Sequence, residues 1–335
     1  MAVDTFDALL IREVAEGGDS TQAAIEALPL TALPDLPVEV AVRYSSLNYK
    51  DGLAITGRGR ICRRLPMVAG IDLAGEVLSS EDARYAPGDW VIANGYGLSE
   101  TLWGGYSQRQ RLDGDHLLPL DKAFSGEQAM AIGTAGYTAM LSILAICDHG
   151  VTVDSGDVLV TGAAGGVGSM AVMLLAAMGY RVVASTGRVD ECGDFLLALG
   201  ASEIFDRREF DCDSKPLSSP RWAAVVDVVG GRPLATILSQ LQYGGIVSAC
   251  GLASSMSLPA SVAPFILRGV TLRGIDSVMA SRGQRLRAWE ALAKWVNPEQ
   301  LTRLYAVHPM TDLPKLAEQI VAGEIRGRLV IDTAV

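Results

Sequence analysis

Residues 158–169 read Val-Leu-Val-Thr-Gly-Ala-Ala-Gly-Gly-Val-Gly-Ser, and this segment constrains the fold of the chain more than any other. Residues 157–161 predict a buried strand, and residues 167–178 predict an apolar helix that ends before a glycine. Residues 181–185 predict the next strand. A glycine turn between a strand and a helix, followed by a second strand, is typical of the βαβ unit of dinucleotide-binding folds.

The glycine turn has a chemical consequence for what it binds. Glycines let backbone N–H groups approach phosphate oxygens, because no Cβ stands in the way. The helix that follows directs its positive end at the same place. The segment therefore predicts a binding site for the pyrophosphate of a dinucleotide.

The end of the second strand indicates which dinucleotide is bound. An NAD site usually has Asp or Glu about 20 residues beyond the glycines, where it accepts a hydrogen bond from the ribose 2′-hydroxyl. Here residues 185–188 read Ser-Thr-Gly-Arg, and the first carboxylate is Asp190. Arg188 suits a 2′-phosphate, so the sequence favours NADPH over NADH. A solvated loop arginine is the alternative.

Charge and hydropathy exclude several classes of partner. The net charge of −10 disfavours nucleic acid and anionic membranes as partners. No apolar run is expected to reach the ~18 residues of a membrane span, and the N-terminus lacks the basic region of a signal peptide. We therefore expect a cytoplasmic protein with no membrane partner.

Cysteine and histidine usage argues against a metal site. The five cysteines include no C-x-x-C pair, and their number is odd. The three histidines, His116, His149 and His308, lie far apart in the sequence and in no ligand spacing. We expect neither a disulfide framework nor bound metal.

The order of predicted elements indicates two domains, one of them discontinuous. Strands are predicted at 38–44, 72–78 and 90–93, and a further strand is expected to open at Gly104 and to run toward Leu112. Strands and helices alternate beyond residue 125, as in a doubly wound parallel sheet, and residues 328–332 predict a last strand that joins the first sheet. We predict one domain from residues 1–124 and 298–335, with a Rossmann domain at 125–297 inserted in it.

Several segments, in this order, make the chain resemble the medium-chain dehydrogenase/reductase superfamily. Within it, the chain is similar to the zinc-free acrylyl-CoA reductase group, also described as quinone oxidoreductases. The segments that carry the resemblance are Ser-Ser-Leu-Asn-Tyr-Lys-Asp at 45–51, Gly-Ile-Asp-Leu-Ala-Gly at 70–75, Ile-Gly-Thr-Ala-Gly at 132–136, the glycine turn, Ala-Pro-Phe-Ile-Leu-Arg-Gly at 263–269 and Gly-Glu-Ile-Arg-Gly-Arg at 323–328.

The resemblance implies an α/β protein in which a Rossmann parallel sheet is inserted in a mainly β, GroES-like catalytic domain. Zinc alcohol dehydrogenases of the superfamily have a metal-binding Gly-His-Glu motif, and Gly70-Ile71-Asp72 takes its place here. Asn48 stands near their first cysteine ligand, and their four-cysteine loop is missing. The resemblance therefore implies no metal.

The resemblance also implies a set of cofactor-binding residues. Tyr49 is expected near the nicotinamide, with Leu252, Ile266 and Ser277 lining its pocket, although ordinary core packing is the alternative for the two aliphatic residues. The residues implied for the pyrophosphate are Ala164, Gly165, Gly166 and Val167, and those implied for the 2′-phosphate are Thr186, Gly187, Arg188 and Arg207.

An arginine-rich segment suggests the substrate. Residues 58–64 contain four arginines in an acidic protein, and arginine forks suit the phosphates of coenzyme A. We therefore predict that Arg60, Arg63 and Arg64 bind an acyl-CoA, with a solvated basic loop as the alternative.

The predicted reaction is hydride transfer from NADPH to the β-carbon of acrylyl-CoA, which gives propionyl-CoA. Asn48 or backbone N–H groups would stabilise charge on the thioester oxygen, and Tyr49 or a water would supply the proton. An NADPH-dependent quinone or enone reductase and a non-catalytic NADPH sensor are the alternatives. The resemblance further implies a homodimer.

Overall fold

The computed structural model describes residues 4–14 and 20–334, and the chain divides into two compact units. We call the first the β unit, which comprises Met1–Thr134, Val278–Leu286 and Leu301–Val335. The second is the parallel-sheet unit, which comprises Ala135–Ser277 and Arg287–Gln300. The domain boundaries predicted from the sequence, between residues 124 and 125 and between residues 297 and 298, stay a prediction.

The strands among the described residues are β1 (Thr5–Glu13), β2 (Thr21–Pro29), β3 (Val38–Leu47), β4 (Met67–Val68), β5 (Asp72–Ser80), β6 (Trp90–Asn94), β7 (Arg109–Leu112), β8 (Leu118–Pro119), β9 (Asp157–Val160), β10 (Val182–Thr186), β11 (Glu203–Asp206), β12 (Trp222–Asp227), β13 (Leu241–Ala249), β14 (Thr271–Gly274), β15 (Tyr305–Pro309) and β16 (Arg328–Asp332). The α-helices are α1 (Tyr49–Ile55), α2 (Gly126–Asp148), α3 (Gly166–Ala177), α4 (Val189–Ala198), α5 (Gly231–Ser239), α6 (Ala263–Arg268), α7 (Arg282–Trp295), α8 (Pro298–Thr302) and α9 (Leu313–Val321).

The β unit is built on two sheets. One has the strand order β2-β1-β4, and the other has the order β15-β16-β3-β5-β6-β8, with β7 also paired to β3. Val38, Val40 and Val42 alternate along β3 and are buried in one hydrophobic cluster, because successive side chains of a strand point to opposite faces. The last strand, β16, pairs antiparallel with β3, so the predicted joining of the chain's end to the first sheet is confirmed.

One predicted strand of the β unit begins later than expected. Gly104 and Gly105 donate backbone hydrogen bonds to the carbonyls of Val68 and Gly70, and regular pairing of this segment with β3 starts only at Arg109. The prediction that the strand opens at Gly104 is therefore wrong. The glycines instead let the chain pass closely over the backbone before β5.

The parallel-sheet unit has a single sheet in the order β11-β10-β9-β12-β13-β14, with every neighbouring pair parallel. The predicted doubly wound sheet is confirmed. Leu159, Val183, Val225 and Val247 form its core from four adjacent strands. The strand order reverses between β9 and β12, and ligands of such sheets bind at the carboxyl ends of the strands beside that point.

Helix α2 is apolar, and it is interrupted by one residue. Gly133 has φ 49° and ψ −159°, which are not helical angles. By length and composition α2 could cross a membrane, so the expectation that no segment reaches that threshold was wrong. However, 78% of its most apolar stretch is buried, as in the core helix of a folded domain.

Candidate functional site

The glycine turn of the parallel-sheet unit has the geometry of a phosphate cradle. Gly162 follows Thr161 with φ 56°, and a Cβ on Gly168 would lie 2.3 Å from the Gly162 carbonyl oxygen. Helix α3 begins at Gly166, so the turn packs directly against its first residues. The backbone N–H groups at this helix start have no partner within the helix and are suited to phosphate oxygens.

The predicted pyrophosphate residues are brought together at this helix start. Gly165 is the N-cap residue of α3, and Gly166 is its first residue. Ala164 precedes them and Val167 follows. The N–H of Ala163 donates to the carbonyl oxygen of Ser185, which ties the turn to the end of β10.

The end of β10 gathers three of the four residues predicted for the 2′-phosphate. Thr186 is the last residue of β10 and is buried, and Gly187 follows it. A Cβ on Gly187 would lie 2.5 Å from Arg207 Nε, so the Arg207 side chain lies against this glycine. Arg208 instead forms an ion pair with Asp206 at 2.5 Å.

The fourth of these residues, Arg188, is the N-cap residue of α4. Its backbone N–H donates to Thr186 Oγ1 at 3.2 Å, so the chain turns tightly after β10. Two arginines, Arg188 and Arg207, thus lie beside the end of β10. The charge of the Asp206 carboxylate is paired with Arg208. Such a set of side chains fits a 2′-phosphate better than it fits a bare ribose hydroxyl.

The residues predicted for the nicotinamide pocket follow later strands of the same unit. Leu252 lies just after β13 and is 59% exposed, and Ile266 lies on α6 and is 74% exposed. The alternative of ordinary core packing is therefore wrong for both. Ser277 is the last residue of the first segment of the parallel-sheet unit, Ala135–Ser277.

A cluster of buried polar side chains occupies the β unit, and Asn48 and Asp51 begin it. Asn48 precedes α1, and its backbone N–H donates to Asp51 Oδ2 at 2.9 Å. The N–H of Ile71 donates to Asp51 Oδ1 at 2.9 Å. Asp51 is fully buried beside the carboxylate of Asp72, so desolvation and then that neighbour raise its pKa to about 7.

Asp72, the first residue of β5, is the acceptor at the centre of the cluster. It is fully buried, and donors from four parts of the β unit surround its carboxylate. The donors are Ser46 Oγ at 2.5 Å, Asn48 Nδ2 at 2.9 Å, Asn94 Nδ2 at 2.6 Å, and Thr134 through its N–H at 2.9 Å and its hydroxyl at 2.5 Å.

Arg328, the first residue of β16, supplies the cation of the cluster. Its Nη1 donates to Asn48 Oδ1 at 3.1 Å, and its Nε donates to the carbonyl of Ala131 at 2.9 Å. Burial lowers the pKa of Arg328, and the carboxylates of Asp72 and Asp51 oppose that shift. A Cβ on Gly133 would lie 2.7 Å from Arg328 Nη2, so the interruption of α2 makes room for the guanidinium.

The two predicted catalytic residues lie in different environments. Asn48 is nearly buried, and both ends of its amide hydrogen-bond protein atoms, with Nδ2 directed at Asp72 and Oδ1 at Arg328. Tyr49 is 47% exposed. The phenol therefore reaches solvent, whereas the amide is held in one orientation.

The donor set of this cluster does not fit zinc. The described residues contain no group of three His, Cys, Asp or Glu side chains placed to hold a metal ion. Ile71, which stands where the zinc enzymes have histidine, is aliphatic and buried. The lone pairs of Asp51 and Asp72 face amide, hydroxyl and backbone donors, and Arg328 supplies a positive charge.

The arginine-rich segment is exposed, and its members have different partners. Arg58 forms an ion pair with Glu318 at 2.6 Å, and Arg63 lies 4.0 Å from Glu100. Arg64 borders a pocket of about 240 Å³ that Trp103 also lines. Arg60 is exposed as well. The structure thus leaves all three predicted substrate residues reachable from solvent.

Sequence reasoning gave no role to several residues that organise these sites, namely Ser46, Asp72, Asn94, Thr134, Thr161, Asp227 and Arg328. Two of them did leave a signal. Asp227 closes a buried strand that is otherwise apolar, and Arg328 is followed directly by three buried apolar residues of β16. A charged residue next to apolar strand residues is a sign of a buried polar partner.

Comparison with known proteins identifies the family to which this chain belongs. Residues 35–137 match the alcohol dehydrogenase GroES-like domain, and residues 166–296 match the zinc-binding dehydrogenase domain. Acrylyl-CoA reductase AcuI of Ruegeria pomeroyi is 49% identical over 328 residues, which cover 98% of this chain and 99% of the relative.

Two solved structures superpose closely. Escherichia coli K-12 YHDH with bound NADPH has a TM-score of 0.94 at 44% identity, covering 97% of this chain and 99% of its own. Bacillus subtilis yhfP with bound NAD has a TM-score of 0.94 at 41% identity, covering 98% and 99%. The predicted family and fold class are confirmed.

Proposed function

We propose, from the premise that this chain belongs to the medium-chain dehydrogenase/reductase family, that it is an NADPH-dependent reductase of acrylyl-CoA. It reduces the carbon–carbon double bond and gives propionyl-CoA. The observation that carries this proposal is the 49% sequence identity to the Ruegeria acrylyl-CoA reductase, which extends over nearly the full length of both chains. The bound NADPH of the Escherichia relative supports the choice of cofactor.

In this proposal the parallel-sheet unit binds the cofactor. Ala164, Gly165, Gly166 and Val167 hold the pyrophosphate, since the start of α3 presents backbone N–H groups there. Thr186, Gly187, Arg188 and Arg207 hold the 2′-phosphate. Leu252, Ile266 and Ser277 line the nicotinamide pocket. The Bacillus relative has NAD bound. We assign the preference of this chain for NADPH to Arg188 and Arg207, because arginine suits the 2′-phosphate.

When bound, NADPH supplies a hydride to the β-carbon of the substrate. Negative charge then develops on the thioester oxygen, and backbone N–H groups stabilise it. The other candidate, the Asn48 amide, already donates to Asp72 through Nδ2, and its Oδ1 accepts from Arg328. Tyr49, whose phenol is exposed, or a water then protonates the α-carbon.

Arg60, Arg63 and Arg64 are proposed to bind the phosphates of coenzyme A. If so, replacing all three by alanine raises KM for acrylyl-CoA far more than for a small enone that lacks coenzyme A, because remote contacts exist only for the thioester. Arg303→Ala, at an exposed arginine of the same unit, is the control for loss of charge. Equal changes for both substrates would contradict this role.

The proposal includes a homodimer and a cytoplasmic location. The parallel-sheet unit exposes Met256, Val262 and Leu267, which are large apolar side chains of one stretch of sequence. Exposed apolar groups of this kind favour protein association. Analytical ultracentrifugation of the wild type and of Val262→Lys tests the dimer, which the lysine should weaken. A monomeric wild type would contradict it.

A spectrophotometric assay of NADPH oxidation tests the function itself. Acrylyl-CoA and a simple quinone are offered separately to the same protein, and propionyl-CoA is identified by mass spectrometry. We expect efficient oxidation with acrylyl-CoA. Turnover with the quinone alone would favour a quinone reductase, and NADPH binding without turnover would favour a sensor.

A further inference from the structure

The parallel-sheet unit contains a buried carboxylate to which the proposed chemistry gives no role. Asp227 is the last residue of β12 and is fully buried. Its Oδ1 accepts from Thr161 Oγ1 at 2.7 Å, and its Oδ2 accepts from the N–H of Gly230 at 2.9 Å. A buried carboxylate is costly unless donors satisfy it, so these hydrogen bonds offset the cost of burying Asp227.

Thr161 connects two segments through its hydroxyl group. Oγ1 donates to Asp227 and accepts from the N–H of Val228 at 3.0 Å. The Thr161 N–H donates to the carbonyl of Val226 at 3.0 Å. The end of β9 is therefore joined to the end of β12 and to the residue after it.

This junction lies where the strand order of the sheet reverses. β9 and β12 are neighbours, and the glycine turn begins directly after Thr161. A Cβ on Gly162 would lie 2.5 Å from Val228 Cγ2, so the glycine turn packs against the segment after β12. The crevice at such a point is where dinucleotides bind in this class of sheet.

The segment after β12 is itself held in an unusual conformation. Gly230 has φ 70° and ψ −158°, a combination that is essentially confined to glycine, and Gly231 has φ 63°. The Gly230 N–H donates to Asp227, so the carboxylate fixes the first of them. Residues in sparsely populated regions persist only where their surroundings determine them.

We propose that Thr161 and Asp227 are positioning residues for the dinucleotide. They hold the glycine turn and residues 228–231 at the spacing that the cofactor requires, and they act through those segments without contacting the 2′-phosphate. This inference rests on the proposed function, since it assumes that a dinucleotide binds here. The parts of the cofactor that depend on this spacing are common to NADPH and NADH.

The test measures dissociation constants for both dinucleotides by fluorescence titration of the full-length protein, together with Tm. Thr161→Val removes the hydroxyl and keeps the shape, and Thr161→Ser keeps the hydroxyl. Thr236→Val is the matched control, because Thr236 is buried in α5 of the same unit and donates to the carbonyl of Cys212.

We expect Thr161→Val to raise both Kd values about tenfold, the equivalent of one hydrogen bond to a charged group, and to leave their ratio unchanged. Thr161→Ser should stay within about twofold of the wild type. Thr236→Val should lower Tm without changing either Kd. Arg188→Ala, in contrast, should weaken NADPH alone, because only NADPH carries the 2′-phosphate.

Three results would overturn the inference. Kd values within twofold of the wild type, beside a lowered Tm, would make the pair purely structural. A loss confined to NADPH would place its effect at the 2′-phosphate. A wild type that binds neither dinucleotide would refute the proposed function as well. If Thr161→Val does not fold, Asp227→Asn is measured in the same way, with the same expected and contradicting results.

Discussion

Asp72 of the β unit and Asp227 of the parallel-sheet unit are both fully buried carboxylates at an end of a strand, but their surroundings differ. Asp72 shares its cluster with a second carboxylate, Asp51, and with the guanidinium of Arg328. The donors to Asp227 are the Thr161 hydroxyl and the backbone N–H groups of Val229 and Gly230. One site is a charged network, and the other is a small neutral set of donors around one charge.

The two carboxylate sites should differ in how much stability a substitution costs. Removing one partner of a buried ionic network leaves an uncompensated charge, which costs more than the loss of one hydrogen bond. The β unit should therefore be sensitive to its cation, whereas the parallel-sheet unit should respond mildly in stability and more strongly in ligand binding.

The largest effect is expected for Arg328→Met. This change leaves Asp51 and Asp72 without a cation and should lower the free energy of unfolding by about 3–5 kcal/mol. Urea denaturation measures it, with Arg303→Met as the exposed control in the same unit. A loss below about 1 kcal/mol, the usual value of a surface ion pair, would mean that the cluster does not depend on its cation.

An intermediate effect is expected from pH. The pKa of Asp51 is raised to about 7 in the folded protein, so the folded state binds more protons than the unfolded state between about pH 4 and 7. The free energy of unfolding should therefore fall as pH rises through that range, on the order of 2 kcal/mol between pH 5 and 8.

Comparison with Asp51→Asn isolates this contribution, because the variant lacks the titrating group. His116, whose pKa burial lowers, acts in the opposite direction and is present in both proteins. Urea denaturation across this range should give a steeper decline for the wild type. Parallel pH profiles for the two proteins would show that Asp51 does not titrate in this range.

The smallest effect on stability is expected for Asp227→Asn, at about 1–2 kcal/mol, because no ionic partner is left behind. Urea denaturation at neutral pH checks the value. If Asp227→Asn cost as much as Arg328→Met, the distinction between the charged network and the neutral donor set would fail.

The sequence predicted what local patterns determine. The glycine turn, the parallel sheet and the strand Arg328–Asp332 follow from short apolar stretches and glycines, and the structure has them at or within a few residues of the predicted bounds. Helix α1 was not predicted. It has seven residues, and its cap depends on Asp51, which is also held by the distant Ile71.

The rest could not be predicted because long-range contacts determine it. Asn48 and Arg328 bond across 280 positions of the chain, and no periodic pattern links them. The need for Gly133 becomes visible only when the guanidinium beside it is in place. Arg207 was preferred to Arg208 through the family resemblance alone, and only the structure shows that Arg208 pairs with Asp206.

The most direct measurement of the central claim follows the hydride itself. The protein is given acrylyl-CoA with NADPH that carries deuterium on one or the other face of nicotinamide C4, and propionyl-CoA is examined by mass spectrometry and NMR. We predict one deuterium atom at the β-carbon from one of the two preparations, with the new α-hydrogen taken from water. Propionyl-CoA without label from either preparation, or no propionyl-CoA at all, would contradict the account.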